Sequence, residues 1–152
     1  MLAVNDNWRS PEAYFRGELN KPTDLFSLGA MCIYAVLGRV VFGPDEDFRM
    51  HESMGTLPAF IRLQRQVSYF VDKVGIDDLL KHISGDQIDS EILLMLWEDR
   101  NEENIPYIPF SEWPDVCDVA FKHLIRGLTC LDPTRQITAH QMLQNEWFAG
   151  IK

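Results

Sequence analysis

The chain is short of cysteine, short of positive charge, and has no hydrophobic run long enough to cross a bilayer. Its three cysteines, Cys32, Cys117 and Cys130, are an odd number without C-x-x-C spacing. That excludes a disulfide framework and a cysteine-based zinc site. It predicts reduced, buried thiols in an intracellular protein of the cytoplasm or nucleus. Lys and Arg number 14 against 23 Asp and Glu, a formal net charge of −9 at pH 7. A deficit of cations argues against nucleic acid and anionic membrane as partners, since both need a basic surface. The longest uncharged stretch runs from Leu25 to Gly38, about 21 Å as a helix, where a bilayer needs about 30 Å. Residues Met1 to Asn7 hold no basic residue or long apolar stretch, so no signal peptide is legible there.

What is present is organised around that uncharged stretch. Its apolar residues do not keep to one face, and a helix that is hydrophobic all round has to be enclosed by other elements. Pro22 and Thr23 mark its start and Gly38 its stop. Asp24 falls in the first turn, where the helix dipole and free N–H groups favour a carboxylate, a structural role. Ser10-Pro11-Glu12 reads as a serine cap, a first-turn proline and a first-turn acid, opening a short helix that Gly17 closes. Arg39 to Gly55 has little periodicity and reads as a loop packed through Val40, Val41 and Phe42. The acidic runs Asp45-Glu46-Asp47 and Glu98-Asp99 with Glu102-Glu103 read as solvated loops.

Thr56 and Pro58 open the next helix, with Phe60, Leu63, Val67, Phe70 and Val74 on one face. Two short helices follow, Asp77–Ile83 and Ser90–Trp97, parted by Gly85. Pro106 and Pro109, interleaved with Tyr107, Ile108 and Phe110, predict an extended segment laid on the core from Asn101 to Trp113. Pro114 opens a helix whose buried stripe is Ala120, Phe121, Leu124, Ile125, Leu128 and Leu131, broken by Asp132-Pro133. Thr138 with Gln141 fits a capping box that starts a last helix, running to about Asn145. Trp147 and Phe148 close the chain on the core. There is no internal repeat and no low-complexity tract. The expected fold is an all-α domain around one buried central helix.

Three motifs in order go beyond periodicity. Trp8-Arg9-Ser10-Pro11-Glu12 resembles the Y-R-x-P-E that ends the activation segment of eukaryotic protein kinases. Asp24-Leu25-Phe26-Ser27-Leu28-Gly29 resembles the D-x-W-S-x-G of their αF helix. Leu131-Asp132-Pro133-Thr134-Arg135, then Ile137-Thr138-Ala139, Leu143, Trp147 and Phe148, resembles the ending of the kinase fold. The resemblance implies a partial kinase domain over residues 1–152, a C-terminal lobe without the N-terminal lobe, with αF-like Thr23–Gly38 at its centre. It implies that Glu12 pairs with Arg135 and that Asp24 holds the backbone of a catalytic loop. Gly29 and Asp132 belong to the same architectural set. The interval from Gly38 to Asp132, with Arg9 ahead of Ser10-Pro11-Glu12, is most similar to the CMGC group, including SR-protein kinases.

Phosphoryl transfer needs groups that grip ATP, hold Mg²⁺ and orient the nucleophile. No G-x-G occurs in this sequence, and none of His51, His82, His123 or His140 is followed by Arg-Asp. Val119-Ala120-Phe121-Lys122 mimics the kinase V-A-x-K but lies in a helical stripe. Asp47-Phe48-Arg49 mimics D-F-G but lacks the glycine. No catalytic, cofactor-binding or metal-binding residue is therefore assigned; ATP and Mg²⁺ are expected only in a longer parent. Asn5, Trp8 and Arg9 are the substrate-loop candidates. Asn5 stands where the family usually has Thr, Trp8 where it has Tyr, Tyr34 where basophilic kinases carry Glu, and Asn145 where it has His. Two readings follow: a truncated Ser/Thr-type kinase, inactive alone, or a pseudokinase-derived module that docks a protein through the Thr56–Val74 helix. A chance match by an unrelated helical domain is the third. In the absence of an N-terminal lobe, Leu2 and Val4 are expected to be exposed, with marginal stability or self-association.

Overall fold

The uncharged stretch forms the longest helix of the computed structural model, which describes residues 6–14, 21–83, 85–131 and 135–150. Every regular element among the described residues is helical, as the sequence predicts. A 3-10 turn, Asp6–Trp8, leads into the short helix α1, Pro11–Tyr14, and the long helix is α2, Lys21–Leu37. Gly38 stops α2 at φ +70°, its N–H donating to the Tyr34 carbonyl at 2.8 Å. A side chain is strained at that angle, which is why glycine stands there. Gly17, Asn5, Leu2 and Val4 lie outside the described residues.

Phe26, Ala30 and Ile33 line the fully buried side of α2. Phe26 stacks on Phe42 at 6.2 Å and meets Phe70 edge-on at 5.8 Å. Burying a side chain of this size contributes about 1.5–3 kcal/mol, so this row anchors the domain. The expected all-round enclosure does not hold. Met31, Tyr34 and Val36 are about half exposed, because the packed elements cover one side of α2 and leave the other open.

The stretch Arg39–Gly55 is not all loop. Val41 and Phe42 are buried as expected, but helix α3, Glu46–Ser53, follows, capped by Asp45, whose side chain accepts from the Phe48 N–H. The acidic run is thus a helix start rather than a solvated loop, in keeping with carboxylates at a helix N-terminus. Helix α4, Pro58–Phe70, opens on the predicted proline. It buries Ile61 and Leu63 through Ser68 consecutively, so it is an interior element and does not offer the free docking face that its apolar stripe implied. Val74 belongs to the next helix, α5, Lys73–His82, capped by Asp72, and is exposed. Helix α6, Gln87–Asp99, completes this half.

Asn101 to Trp113 runs over the core as the prolines predict, with Phe110 and Trp113 buried and one 3-10 turn at Phe110–Glu112. Helix α7, Val119–Leu128, begins five residues after Pro114 because Asp118 caps it, accepting from the Phe121 N–H. Its buried residues Phe121, Leu124, Ile125 and Leu128 are those of the predicted stripe. Thr138 and Gln141 form the capping box of α8, Ala139–Leu143. The last helix is then interrupted: Asn145 caps a separate α9, Glu146–Ala149, by accepting from the Trp147 N–H. Trp147 packs on Phe121 at 5.2 Å, closing the chain on α7. Cys32 and Cys130 are half-buried and Cys117 is exposed, so the expectation of three buried thiols fails, although none is in a disulfide. Among the described residues no helix is long and apolar enough to cross a membrane.

Candidate functional site

The Asp6–Tyr14 segment carries half of the substrate-loop and motif residues, and two helices hold it by its backbone. The Ser27 hydroxyl on α2 donates to the Trp8 carbonyl at 2.7 Å. The Gln66 amide on α4 donates to the Arg9 carbonyl at 2.6 Å. Clamping adjacent carbonyls from different helices fixes the position and direction of the backbone at Trp8 and Arg9. The Trp8 ring meets Tyr34 edge-on at 5.9 Å, so both aromatic departures from the kinase pattern lie at one place. The Arg9 guanidinium is 3.5 Å from Asp6 and 4.9 Å above the Tyr14 ring. Ser10 is fully buried with its hydroxyl unpartnered, so the sequence-predicted serine cap does not form; Pro11 is buried beside it.

The remaining motif residues are dispersed. Asp24 is exposed in the first turn of α2. Gly29 sits where α2 meets α7: a Cβ there would lie 2.9 Å from Thr129 Cγ2 and 3.2 Å from Leu128 Cβ. Only glycine permits that approach without displacing α7. Arg135 stands 3.4 Å from Asp78 of α5. The Glu12 side chain, Asp132 and Asn5 lie outside the described residues, and with them the expected Glu12–Arg135 pair. Lys122, of the false V-A-x-K, donates to the Ser111 and Trp113 carbonyls at 2.7 and 3.3 Å, a structural tie.

Behind the segment lies a group that no motif marked. Arg65 on α4 is 2% exposed. Its Nη1 donates to the Val41 and Gly43 carbonyls, and its Nη2 to Asp45 at 2.6 Å and Asp47 at 3.2 Å. The Tyr107 hydroxyl donates to Asp47, and the Tyr107 ring lies 5.2 Å from the guanidinium. Burial works against the Arg65 charge, but the bonds to Asp45 and Tyr107 outweigh it and hold it more firmly protonated than usual. Burial works to raise the Asp45 carboxyl, yet the bonds from Arg65 and the Phe48 N–H hold it below the ordinary aspartate value. Burial pushes the Tyr69 phenol up to about 12. Burial and the bond to Asp47 raise Tyr107 as well. The D-F-R decoy thus contributes Asp47 to a structural hub. No sequence signal marked Arg65, which lies off the predicted Phe60–Val74 stripe and reads as a surface charge until its partners are seen.

A cavity of about 750 Å³ opens between this hub and the Asp6–Tyr14 segment, lined among others by Asn7, Arg39, Arg65, Tyr69 and Trp113. Arg39 lies 2.7 Å from Asp115 and 4.8 Å above the Trp113 ring. Both guanidinium groups of the cavity are therefore committed to carboxylates. Among the described residues no three His, Cys, Asp or Glu side chains converge as a metal site. What the site offers is a backbone segment held at Trp8 and Arg9 beside an aromatic, partly apolar hollow.

A family model described as the protein kinase domain matches residues 1–148. A 35-residue stretch is 46% identical to Calcium-dependent protein kinase 24 of Oryza sativa subsp. japonica, covering 23% of this chain and 7% of that kinase. No solved structure matches. The chain belongs to the protein kinase domain family.

Proposed function

We propose that this member of the protein kinase family is the C-terminal lobe of a Ser/Thr-type kinase. Its parent moves the γ-phosphoryl group of ATP to protein hydroxyls, and this chain supplies the platform that positions the protein substrate. The observation that carries the reading is the Asp6–Tyr14 segment, held by Ser27 and Gln66, because positioning is a large share of what a phosphoryl-transfer enzyme does. All three kinase-like motifs are of the kind found in that lobe, and the all-helical fold agrees with it. ATP and Mg²⁺ belong to the parent, and residues 1–152 are part of its kinase domain. The Gly38–Asp132 interval and Arg9 support a CMGC or SR-protein-kinase-like subgroup, to which the calcium-dependent relative adds nothing. The partners are a protein substrate or docking protein and the lobe that binds ATP, with no nucleic acid or membrane. The compartment is the cytoplasm or nucleus.

The purified 152-residue chain should transfer no labelled phosphate from Mg–ATP to a protein substrate, and Mg–ATP should leave its melting temperature unchanged. Transfer, or a clear upward shift with Mg–ATP, refutes the reading. The second reading, a pseudokinase-derived binding module, draws support from the half-exposed Met31, Tyr34 and Val36 on α2 rather than from α4. It requires a stable folded monomer with a specific partner; a molten, dye-binding product counts against it.

A further inference from the structure

The segment between α6 and the Phe110–Glu112 turn is fastened to the hub chiefly through one side chain. Residues 101–104, 106, 108 and 109 are exposed, and the backbone there is not helical. Its own amides make only local turn bonds: Asn101 to Glu98, Glu102 to Asp99 and Ile105 to Glu102. Tyr107 points inward instead, its hydroxyl donating to Asp47, its ring against Arg65 and edge-on to Tyr69 at 5.5 Å. The Ile108 carbonyl adds one tie, accepting from the Trp113 indole at 3.1 Å. Tyr14, Tyr34 and Tyr69 all sit in helices; among the four tyrosines, Tyr107 alone lies in backbone that can lift away without unfolding an element.

We propose that Tyr107 is a phosphorylation site, modified by a tyrosine-specific protein kinase acting in trans with ATP, and that the phosphate releases the 100–109 segment from the hub. In that step the Tyr107 Oη attacks the γ-phosphorus, the bond from that phosphorus to the β,γ-bridging oxygen breaks to release ADP, and the phenolic proton passes to the catalytic base of the modifying kinase. The modification removes the hydrogen that Asp47 accepts and sets a group of about −1.5 to −2 charges beside it. The cluster already holds two carboxylates against one guanidinium. His51, with Nε2 3.5 Å from Asp47, adds a cation only when protonated. Only the buried Arg65 Nε is left to answer the added charge, since the Nη groups already serve two carbonyls and two carboxylates. A phosphate next to a carboxylate disrupts by like-charge repulsion. Pro106 and Ile108 wall the 750 Å³ cavity, and Ile105 and Tyr107 wall a second of about 300 Å³, so release opens both. The Asp6–Tyr14 segment, which lines the larger cavity through Asn7, would then lose the wall that faces it.

The test is to treat the full chain with a broad-specificity tyrosine kinase and Mg–ATP, map the phosphate by mass spectrometry, and follow amide exchange. Phosphate is expected on Tyr107 ahead of the other tyrosines. Exchange in residues 100–109 should rise at least tenfold, with α2 and α7 unchanged. In Asp47→Asn, which keeps an acceptor but removes the charge, the phosphate-induced rise should be several-fold smaller. Absence of phosphate on Tyr107 overturns the proposal. So does phosphorylated Tyr107 with unchanged exchange in 100–109, or an undiminished rise in Asp47→Asn.

Discussion

Replacing Arg65 with methionine keeps the apolar stem and removes a guanidinium that joins the Val41–Gly43 loop, the cap of α3 and α4. Two bonds to carboxylates are lost. Because the Asp45 and Asp47 side chains are 58% and 27% exposed, water can take over part of that role. A discounted value of about 1 kcal/mol each is appropriate. The Val41 and Gly43 carbonyls, in buried residues, lose their donor at a cost of about 1–3 kcal/mol each where no water reaches. Against this stands the relief of no longer burying a cation, which can reach a few kcal/mol. The net expectation is a destabilisation of about 3 kcal/mol. For a chain of this size that lowers Tm by about 6–12 °C. Urea unfolding should show a lower midpoint with an unchanged slope, and amide exchange should quicken in residues 41–47. A Tm change below about 2 °C, or an increase, would refute the reasoning. It would mean that the cost of burying the guanidinium matches or exceeds what its bonds return.

The other expectations follow from the same geometry. The folded-state pKa of Asp45 lies below its ordinary value of 3.8, so its stabilisation is present above that value and is lost as pH falls through the folded pKa. The stability gap between wild type and Asp45→Asn in urea should therefore narrow below about pH 4. Gly29→Ala brings a methyl to 2.9 Å from Thr129 Cγ2 and should cost about 1–3 kcal/mol by forcing α2 and α7 apart; a change under about 0.5 kcal/mol in chemical denaturation would show that contact to be soft. Asn145→Ala removes the cap of α9 and should cost about 1 kcal/mol by the same measurement. Asp24→Asn, at an exposed site, should shift stability by no more than about 0.5 kcal/mol. A larger loss would give that carboxylate a structural role within this chain.

The elements with strong periodicity were legible. The α2 stop at Gly38, the α7 stripe and the Thr138–Gln141 box follow from local chemistry that neighbours do not override. Helix α3 was not, because its eight residues bury only Phe48 and His51, too few to show a period, and its acidic cap looks like solvent-facing loop. The start of α7 was misplaced because proline and aspartate both open helices, and here Asp118 wins. At the site, Trp8, Arg9 and Pro11 could be named from motif spacing, but the residues that hold them could not. Ser27 and Gln66 are ordinary polar residues until the tertiary structure places a carbonyl opposite each. Arg65 is the sharpest case, since a charged side chain is read as exposed unless the carboxylates and carbonyls that enclose it, around twenty residues away in sequence, are known. Asn145, noted only as standing where the family has His, proves to be a helix cap.

The most direct test of the claim that this chain is the substrate-positioning lobe of a kinase is the intact mass of the native protein from its source, detected through a peptide in Ser111–Arg126. A mass well above 17.6 kDa is expected, with upstream peptides that include a glycine-rich ATP loop and a catalytic loop. A native mass of 17.6 kDa would contradict the account and favour a free-standing binding module.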